Sequence, residues 1–569
     1  MIMLKRFCFI TLGALLGSTP SFSINAKNLS ISIKSRNIGF RHSPASITPE
    51  CLAADTFPGF STKLWYNTAV EPSLAVNPKN KKYIVAAWQQ DRFDNGGALE
   101  TGIAWSEDCG KTWNRTIIPY QNCNGGITGR SSDPWLSYSA DGSRVYLCSL
   151  NFNIATDSNT QNQEGVTVSY SKNNGKTWSN PHFIASSPNT RESSFPIIDK
   201  NSITTDPLIA KNAYATWDTF LNPDSFHSDT WFTRTTTGGK SWEKSRLIYN
   251  PFLDPGLKSN GIENDCQTIN NIIVVLPNGN LLCFMTRIYA KPGATDEQFT
   301  TDSFPYKYTI FDSACIRSTD HGITWDSTAT QIAVFDGIDF YTCGYEIKDG
   351  QIIKGIGERC RTACPLIFSV AVNPSNGNLY IAWEGSLFNT PGNQLPQIAL
   401  ATSRDGGFTW SAPAKVSRTP SNAPNPQAFT PSVAVSESGE VGVLYHDFRN
   451  SPASCTPQTK TTTWFALYEE VAPHKGSTGI GLNFKSEVNL SCHSYIMENG
   501  PLTGIGFMTN GDYESLIAFN HRFYALYTQS HKGPFSPAET VIDSPTEGTV
   551  IVDNNRRTSP FFSKLTVNK

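Results

Sequence analysis

Acidic, phenolic and basic side chains recur in this chain at the ends of short apolar runs. The groups that could exchange protons or attack a carbon centre are Asp91, Asp133, Glu384, Glu514 and Tyr513. The cationic groups at matching places are Arg92, Arg287 and Arg449. Guanidinium groups bind carboxylates through paired hydrogen bonds. These residue types therefore indicate acid–base or nucleophilic chemistry beside a bound anionic group.

Many carboxylates also lie at the ends of these apolar runs, and the fold could bring them close together. They are Glu71, Asp133, Asp206, Asp218, Glu384, Asp447 and Asp512. Carboxylates held close together must be protonated, paired with arginine, or bridged by a hard cation such as Ca²⁺. No EF-hand loop is present in the sequence, so we expect no cofactor, with Ca²⁺ as the one cation that the pattern would allow. The alternative for each of these charges is an ion pair between neighbouring structural units.

Hairpins must position these residues. The sequence contains seven apolar runs, and in many of them the second residue is proline. A turn signal and a second apolar run come after each one. They begin at Glu71, Asp133, Asp206, Gln267, Cys364, Thr430 and Asp512. Proline at the first position of a strand costs no hydrogen bond of the sheet. The pattern predicts seven antiparallel hairpins.

An eight-residue motif, Ser/Thr-x-Asp-x-Gly-x-Thr/Ser-Trp, follows five of these hairpins. The Asp position is filled by Asp108, Asn173, Thr237, Asp320 and Asp405, and the Trp position by Trp113, Trp178, Trp242, Trp325 and Trp410. A carboxylate in such a turn accepts backbone N–H groups, and the glycine supplies a positive φ. We expect the tryptophan to pack between sheets, so the motifs are predicted to be structural.

The five motifs resemble the Asp-boxes, or BNR repeats, of the sialidase superfamily of β-propellers, over about residues 60–540. The resemblance implies an all-β fold, a single β-propeller of four-stranded blades. Seven hairpins favour seven blades, and six, as in sialidases, is the alternative. We expect an N-terminal strand, within residues 29–35 or 62–67, to complete the last blade and close the ring.

Strand order predicts which face carries the chemistry. In a four-stranded blade the motif turn joins the third and fourth strands, on the same face as the turn between the first and second strands. The opposite face collects the beginnings of first strands and the ends of second strands. The titratable residues described above fall at those positions.

The resemblance also implies roles for individual residues. It assigns a clamp on a sugar carboxylate to Arg92, Arg287 and Arg449. It assigns the nucleophile to Tyr513, paired with Glu514 or Glu384, and the general acid to Asp91 or Asp133. The family's F/Y-R-I-P motif is absent, since the nearest string, which begins at Phe40, has a different spacing.

The implied function is that of a secreted, sialidase-like glycoside hydrolase acting on the terminal acidic sugars of a glycan or glycoprotein. The alternative is a non-catalytic propeller that binds glycan or protein. A third hypothesis is another hydrolase or lyase built on the same carboxylates. A net charge of −2 over 569 residues indicates no basic face for nucleic acid.

The N-terminus has the pattern of a secretory signal peptide, with Lys5 and Arg6 before a short apolar run. We expect a signal peptide at 1–26, an extension at 27–60, the propeller at 61–545 and a C-terminal tail at 546–569. The mature chain is thus predicted to be secreted or periplasmic, with no transmembrane segment. Twelve of the thirteen cysteines would remain. The local pairs expected are Cys109 with Cys123, Cys455 with Cys492, and a bridge among Cys343, Cys360 and Cys364.

Overall fold

A computed structural model gives the fold of most of the chain. It describes residues 30–44, 47–52, 61–121, 123, 126, 128–152, 162–189, 197–222, 227–259, 266–292, 309–335, 345–348, 351–354, 366–388, 395–451, 459–472, 478–491, 493–501, 510–531, 539–543 and 549–568. The predicted signal peptide lies outside these residues, as do Cys343, Cys360, Cys364, Cys455 and Cys492.

Nearly all of the regular secondary structure in the described residues is β-strand. The strands include seven groups of four in antiparallel order, here called units 1 to 7, and the Ala98–Ser131 pair joins units 1 and 2 in one ten-stranded sheet. Unit 1 contains the strands Ser61–Val76, Ile84–Phe93, Ala98–Ser106 and Asn114–Ile117, and unit 2 contains Arg130–Tyr138, Val145–Phe152, Asn162–Ser171 and His182–Asn189. Unit 3 contains Ile197–Thr205, Ala213–Asn222, His227–Thr235 and Arg246–Tyr249. Unit 4 contains Cys266–Val275, Leu281–Ala290, Thr309–Ser318 and Thr330–Val334.

Units 5 to 7 have the same strand order. Unit 5 contains Ser369–Val372, Leu379–Gly385, Gln397–Ser403 and Ala414–Lys415. Unit 6 contains Ala428–Val435, Glu440–Asp447, Lys460–Val471 and Gly481–Asn489. Unit 7 contains Ser515–Phe519, Arg522–His531, Arg557–Asn568 and Ser30–Asn37. The remaining strands are Tyr345–Lys348, Gln351–Lys354, Tyr495–Ile496, Glu539–Asp543 and Thr549–Asp553. The helical segments are Pro49–Leu52, Pro251–Leu253, Pro255–Ser259 and Met497–Asn499.

The hydrophobic core lies between the units. Seven clusters of buried apolar side chains each combine residues of two consecutive units, and one of them joins unit 7 to unit 1. In that last cluster, Trp88 and Leu74 of unit 1 pack with Tyr524 and Phe562 of unit 7. Inner strands such as Ile84–Phe93 and Glu440–Asp447 are buried on both faces, so their apolar residues do not alternate strictly with polar ones.

Hydrogen bonds between neighbouring units follow the same cyclic order. Ser73 accepts from the Leu136 amide at 2.9 Å, and Ser515 of unit 7 accepts from the Leu74 amide of unit 1 at 3.2 Å. The other links are Thr205 to Ser137, Ser202 to Asn271, Asn270 to Phe368, Val433 to Ser369, and His446 with Glu514. The first strands of all seven units line one cavity of about 230 Å³, here called the central channel.

The two ends of the described chain meet in unit 7. Strand Ser30–Asn37 pairs with Arg557–Asn568, with Ser30 opposite Asn568, so the strand expected within residues 29–35 completes the last unit. Residues 62–67 instead extend the first strand of unit 1, which pairs in parallel with Thr549–Asp553. Two strands therefore lie in the segment 546–569 that was expected to form a tail.

One hairpin begins earlier than the sequence predicted. The first strand of unit 3 is Ile197–Thr205, and Asp206 lies in the turn after it. Asp206 accepts hydrogen bonds from the amides of Leu208 and Ile209 and from the Tyr214 hydroxyl. The prediction that a strand begins at Asp206 is thus wrong, because the Asp-Pro pair there starts a turn.

Each eight-residue motif forms the turn after the third strand of its unit. In the fourth copy, Asp320 accepts from the Thr324 amide at 2.9 Å and from its hydroxyl at 2.6 Å, and these bonds lower the pKa of Asp320 to about 2. In the third copy, Thr237 accepts from the Ser241 amide at 3.0 Å instead.

The motifs pack against the preceding unit. A Cβ on Gly110 would lie 2.3 Å from the Phe562 ring, and one on Gly322 would lie 2.6 Å from the Phe232 ring. The tryptophans Trp113 and Trp325 contact the same two rings, at 5.0 and 5.4 Å between ring centroids. The motif of unit 1 therefore also helps to hold unit 1 against unit 7.

A disulfide joins Cys51 to Cys123. The predicted Cys109–Cys123 pair is wrong, since Cys109 is a free thiol in the motif turn of unit 1. The two residues lie at opposite ends of strand Asn114–Ile117, so their short separation in sequence does not bring them together. Among the described residues, none of the helices has the length and apolar character needed to cross a membrane.

Candidate functional site at the channel mouth

A repeated irregularity in the first strands positions the side chains at one end of the channel. In five units, pairing with the second strand slips, and a non-glycine residue with positive φ lies at the slip. These residues, with φ from 47° to 63°, are Glu71, Asp133, Lys200, Asn270 and Thr430. Such a conformation costs about 1–3 kcal/mol for a non-glycine residue and is concentrated at functional sites.

Six side chains form what we call the mouth cluster. They are Glu71, Asp133, Asp199, Lys200, Asp512 and Tyr513. Lys200 lies among the carboxylates: its Nζ donates to Asp512 Oδ2 at 2.6 Å and is 3.6 Å from Asp133 Oδ2. The cluster joins units 1, 2, 3 and 7 on the face opposite the motif turns.

The surroundings of the cluster favour the protonated form of two of its acids, Glu71 and Asp199. Burial raises the pKa of Glu71 well above its usual range, and the charge of Asp133 raises it further. Burial likewise raises the pKa of Asp199. Burial alone would lower the pKa of Lys200, yet the charges of Asp133 and Asp512 hold it well above its usual range. Lys200 is therefore a permanent cation that leaves part of the acidic charge uncompensated.

Tyr513 faces the cluster from unit 7. Burial and then the charge of Glu71 raise the pKa of Tyr513 well above 10. Its hydroxyl is buried and has no hydrogen-bond partner among the described residues. Its ring lies 5.3 Å from that of Trp135, and both rings line the central channel. The phenol is thus a neutral hydrogen-bonding group beside an aromatic surface.

Arg92 is connected to the cluster through Gln89. Arg92 Nη1 donates to Gln89 Oε1 at 2.7 Å, and Gln89 Nε2 donates to Glu71 and, at 3.0 Å, to Ser132 Oγ. Ser132 donates onward to Asp133 at 2.8 Å. This polar chain aligns the carboxylates of two units.

The other two arginines of the predicted clamp lie in separate networks. Buried Arg287 donates to both oxygens of Asp312, at 2.9 and 2.7 Å, and pairs with Asp254 at 3.4 Å. Arg449 binds Asp447 and Glu487, and its guanidinium covers the Trp464 ring at 3.9 Å. The three guanidiniums share no partner among the described residues.

Two of the predicted carboxylates point away from Tyr513. Glu514 accepts from the Thr528 amide at 3.1 Å and lies 3.2 Å from His446 Nε2. Burial raises the pKa of Glu514 well above its usual range and lowers that of His446 to about 3. Glu384 accepts from the Thr430 amide at 2.8 Å. Tyr513 therefore faces the mouth cluster, whereas Glu514 contacts Thr528 and His446, and the two neighbours are separated.

Asp91 belongs to a network with the N-terminal segment. It accepts from the Asn67 amide at 2.7 Å, from Gln90 Nε2 at 2.9 Å and from the Ser43 hydroxyl. Burial raises its pKa from 3.8 to about 6. Of the predicted catalytic residues, the structure therefore brings together Tyr513 and Asp133, with Arg92 one side chain away.

Sequence reasoning missed Asp199 and Lys200, and it considered Glu71 only among the carboxylates that could bind Ca²⁺. Asp199 and Lys200 lack the proline that marks Glu71 and Asp133, and the apparent strand start at Asp206 concealed them. A signal was available, because Lys200-Asn-Ser aligns with Glu71-Pro-Ser in the spacing to the next strand. Three of the carboxylates for which Ca²⁺ was considered, those of Glu71, Asp133 and Asp512, lie around the Lys200 ammonium.

The sequence matches no protein-family model and no curated protein. Matching solved structures include the Hadza microbial sialidase Hz136, at 11% identity over 79% of this chain and 72% of that chain, with a TM-score of 0.39. The α-L-arabinofuranosidase Arb93A from Fusarium graminearum matches at 14% identity over 76% and 98%, with a TM-score of 0.38. The polysaccharide lyase Uly1 matches at 10% identity over 88% and 90%, with a TM-score of 0.44. At these values the likenesses do not assign an activity to this chain.

Proposed function

We propose that the seven units are the blades of a single β-propeller. The support is the cyclic order of seven apolar clusters and seven hydrogen-bonded boundaries, together with a channel lined by all seven first strands. Six blades would require one unit to lie outside this order.

We propose that the protein is a glycoside hydrolase that acts at the channel mouth. The observation that carries this proposal is the mouth cluster, where Glu71, Asp512 and Tyr513 share one rim of the channel. Glu71 has the raised pKa of a general acid, able to protonate the oxygen of a leaving sugar. Lys200 donates a charge-assisted hydrogen bond to Asp512, and the Asp512 carboxylate would act on the anomeric carbon, directly or through water.

The remaining cluster members would hold the sugar. The aromatic faces of Trp135 and Tyr513 offer a surface on which a sugar ring can stack. The Tyr513 hydroxyl has a hydrogen bond to donate. Asp133, the acid expected from the sequence, is 2% exposed and supports Lys200. A sialidase-type reaction on a terminal acidic sugar would need Arg287 and Arg449 to leave Asp312 and Glu487, so we propose the broader class.

Hydrolysis of a panel of fluorogenic glycosides, including a sialoside, tests this function. We expect Glu71→Gln and Asp512→Asn to reduce kcat at least about 100-fold, the range for losing a general acid or base. The matched control is Glu107→Gln, an exposed carboxylate in a motif turn on the other face. Unchanged turnover in both mouth variants would remove the assignment, and a change at Glu107 would show a non-specific effect.

One observation favours the alternative, a propeller that binds glycan without cleaving it. Glu71 is only 4% exposed, so a leaving-group oxygen must enter a narrow opening to reach it. Binding to a glycan array with no turnover across the glycoside panel would establish this alternative.

We also propose that the mature chain works outside the cytoplasm. The N-terminal pattern supports this location, and the Cys51–Cys123 disulfide is of the kind that persists in oxidising compartments. N-terminal sequencing of protein recovered from the culture medium or periplasm tests it, with an expected start near residue 27.

A further inference from the structure

We propose that the channel mouth recognises a protonated primary amine, so that the glycan it takes carries free amino groups rather than acidic ones. The substrate clause rests on the proposed glycosidase function, whereas the amine site rests on the mouth cluster alone.

The charge balance of the mouth favours a cation. Among the described residues, Glu71, Asp133, Asp199 and Asp512 lie around one ammonium group, that of Lys200. Arg92 approaches only through Gln89. A second cation would favour the ionised forms of Glu71 and Asp199, whose pKa values are raised, while an anionic sugar would disfavour them.

Two buried polar atoms at the mouth also lack a partner. Asp133 Oδ2 lies 3.6 Å from Lys200 Nζ and accepts no hydrogen bond from the described residues, although Asp133 is 2% exposed. The Tyr513 oxygen is in the same position. An unpaired buried acceptor costs about 1–3 kcal/mol. A primary ammonium brings three donors and can satisfy acceptors of this kind.

The surroundings favour an organic cation over a metal ion. The rings of Trp135 and Tyr513 lie beside the carboxylates, and aromatic faces attract ammonium groups. An amine on a sugar ring would meet both the aromatic surface and the acceptors.

The raised pKa values of Glu71 and Asp199 predict that binding releases protons. The charged groups that face Glu71 are Asp133, Lys200, Asp512 and Arg92. Those that face Asp199 are Lys200, Asp133 and Asp512, with Asp218 opposite it on the neighbouring strand. An arriving ammonium stabilises the ionised form of both acids, so these acids should lose protons when the protonated amine binds.

Isothermal titration calorimetry with a β-1,4-linked glucosamine tetramer and its fully N-acetylated counterpart tests the site. The two ligands differ only in the charge and substitution of the amine. We expect the free amine to bind at least about tenfold more tightly at pH 7, and Asp512→Asn to remove most of that preference. Asp512 is 28% exposed, so this variant should fold. The matched control, Asp326→Asn, lies near a motif turn and should leave both affinities unchanged.

A salt series on the unaltered protein gives the same information without a variant. Raising NaCl from about 20 to 300 mM should weaken binding of the amine and leave the acetylated ligand unaffected. Equal affinities for the two ligands, or tighter binding of a sialylated glycan, would overturn the amine site. Amine binding without cleavage supports the site and removes the hydrolase, whereas cleavage with no preference for amines keeps the hydrolase and removes the site.

Discussion

Lys200 is the residue on which the charge balance of the channel mouth depends. Its ammonium lies within 3.6 Å of two carboxylates and is only 13% exposed. Replacement by methionine leaves the acids with no nearby cation, so we expect Lys200→Met to lower the free energy of unfolding by about 3–5 kcal/mol. Urea denaturation at pH 7 measures this effect.

The double variant Lys200→Met/Asp512→Asn is the control for that measurement. It removes one charge of each sign, so it should recover part of the lost stability. If Lys200→Met alone were as stable as the unaltered protein, the ammonium would not be what neutralises the mouth.

Asp91 predicts a pH dependence of stability of unusual sign. Its pKa is about 6 in the folded chain and 3.8 as the ordinary value, chiefly because it is buried. The folded state therefore binds the proton more tightly, and the Asp91 contribution to the free energy of unfolding falls by about 3 kcal/mol as the pH rises from 4 to 7. Asp91→Asn should flatten this part of the stability profile.

Asparagine is the suitable replacement at that position because Asp91 has a φ of 64°, which asparagine also tolerates. Chemical denaturation at half-unit pH intervals gives both profiles. Parallel profiles for the two proteins would mean that Asp91 does not titrate in this range.

At this scale, residue type indicated some of the residues that the structure brings together. Asp133, at the backbone slip of strand Arg130–Tyr138, and the phenol Tyr513 both belong to the mouth cluster. The arginines show why the rest could not be read: whether a guanidinium is free or bound depends on partners distant in sequence, such as Asp312 for Arg287 and Glu487 for Arg449.

At the scale of elements, the third motif is a natural test of what the aspartate contributes. Thr237 supplies one oxygen to the Ser241 amide, where Asp320 supplies two oxygens to Thr324. We expect Thr237→Asp to stabilise the protein by about 0.5–1 kcal/mol, in the range for adding a side-chain hydrogen bond to a turn. The midpoint of urea denaturation reports the change.

Asp320→Ala is the reciprocal experiment and should destabilise the protein by a similar amount. A loss of stability in Thr237→Asp would show that the third turn has adapted to its threonine.

The hairpins were predictable because proline, glycine and asparagine act through local backbone preferences. Strands Ala428–Val435 and Glu440–Asp447 form the hairpin that was predicted to begin at Thr430. The start of the unit 3 hairpin was predicted wrongly because an Asp-Pro pair favours both a strand start and a turn. Only the pairing of Ile197–Thr205 with Ala213–Asn222 decides between them.

At the scale of the whole molecule, strand Ser30–Asn37 closes unit 7. Deleting residues 27–38 would expose the edge of Arg557–Asn568, a twelve-residue strand. An exposed strand edge promotes association between chains. We expect a lower Tm and concentration-dependent oligomers, measured by differential scanning fluorimetry and size-exclusion chromatography.

A circular permutant separates closure from loss of sequence. A chain that begins at residue 47 and carries residues 30–44 after residue 568, through a short linker, keeps the same strand pairs. It should remain monomeric with a Tm near that of the unaltered protein. A monomeric, fully stable deletion variant would contradict the closing role.

The cyclic order of the units could be anticipated because repetition is visible in a sequence. The Cys51–Cys123 disulfide could not, because it joins an irregular segment to a loop and neither belongs to the repeat. The strand that closes unit 7 could be predicted in part. An N-terminal strand was expected, but only its pairing with residues 557–568 identified it as residues 30–37.

The backbone slip shared by five first strands has a consequence for how this protein could diversify. Three of these slips, at Glu71, Asp133 and Lys200, each present a side chain to the mouth cluster from the same backbone position. The strand and not the side chain holds that position, so the residue there can change while the core of its unit stays intact. Exchanging these three residues singly or in pairs is therefore a route to variants that accept other ligands at the mouth.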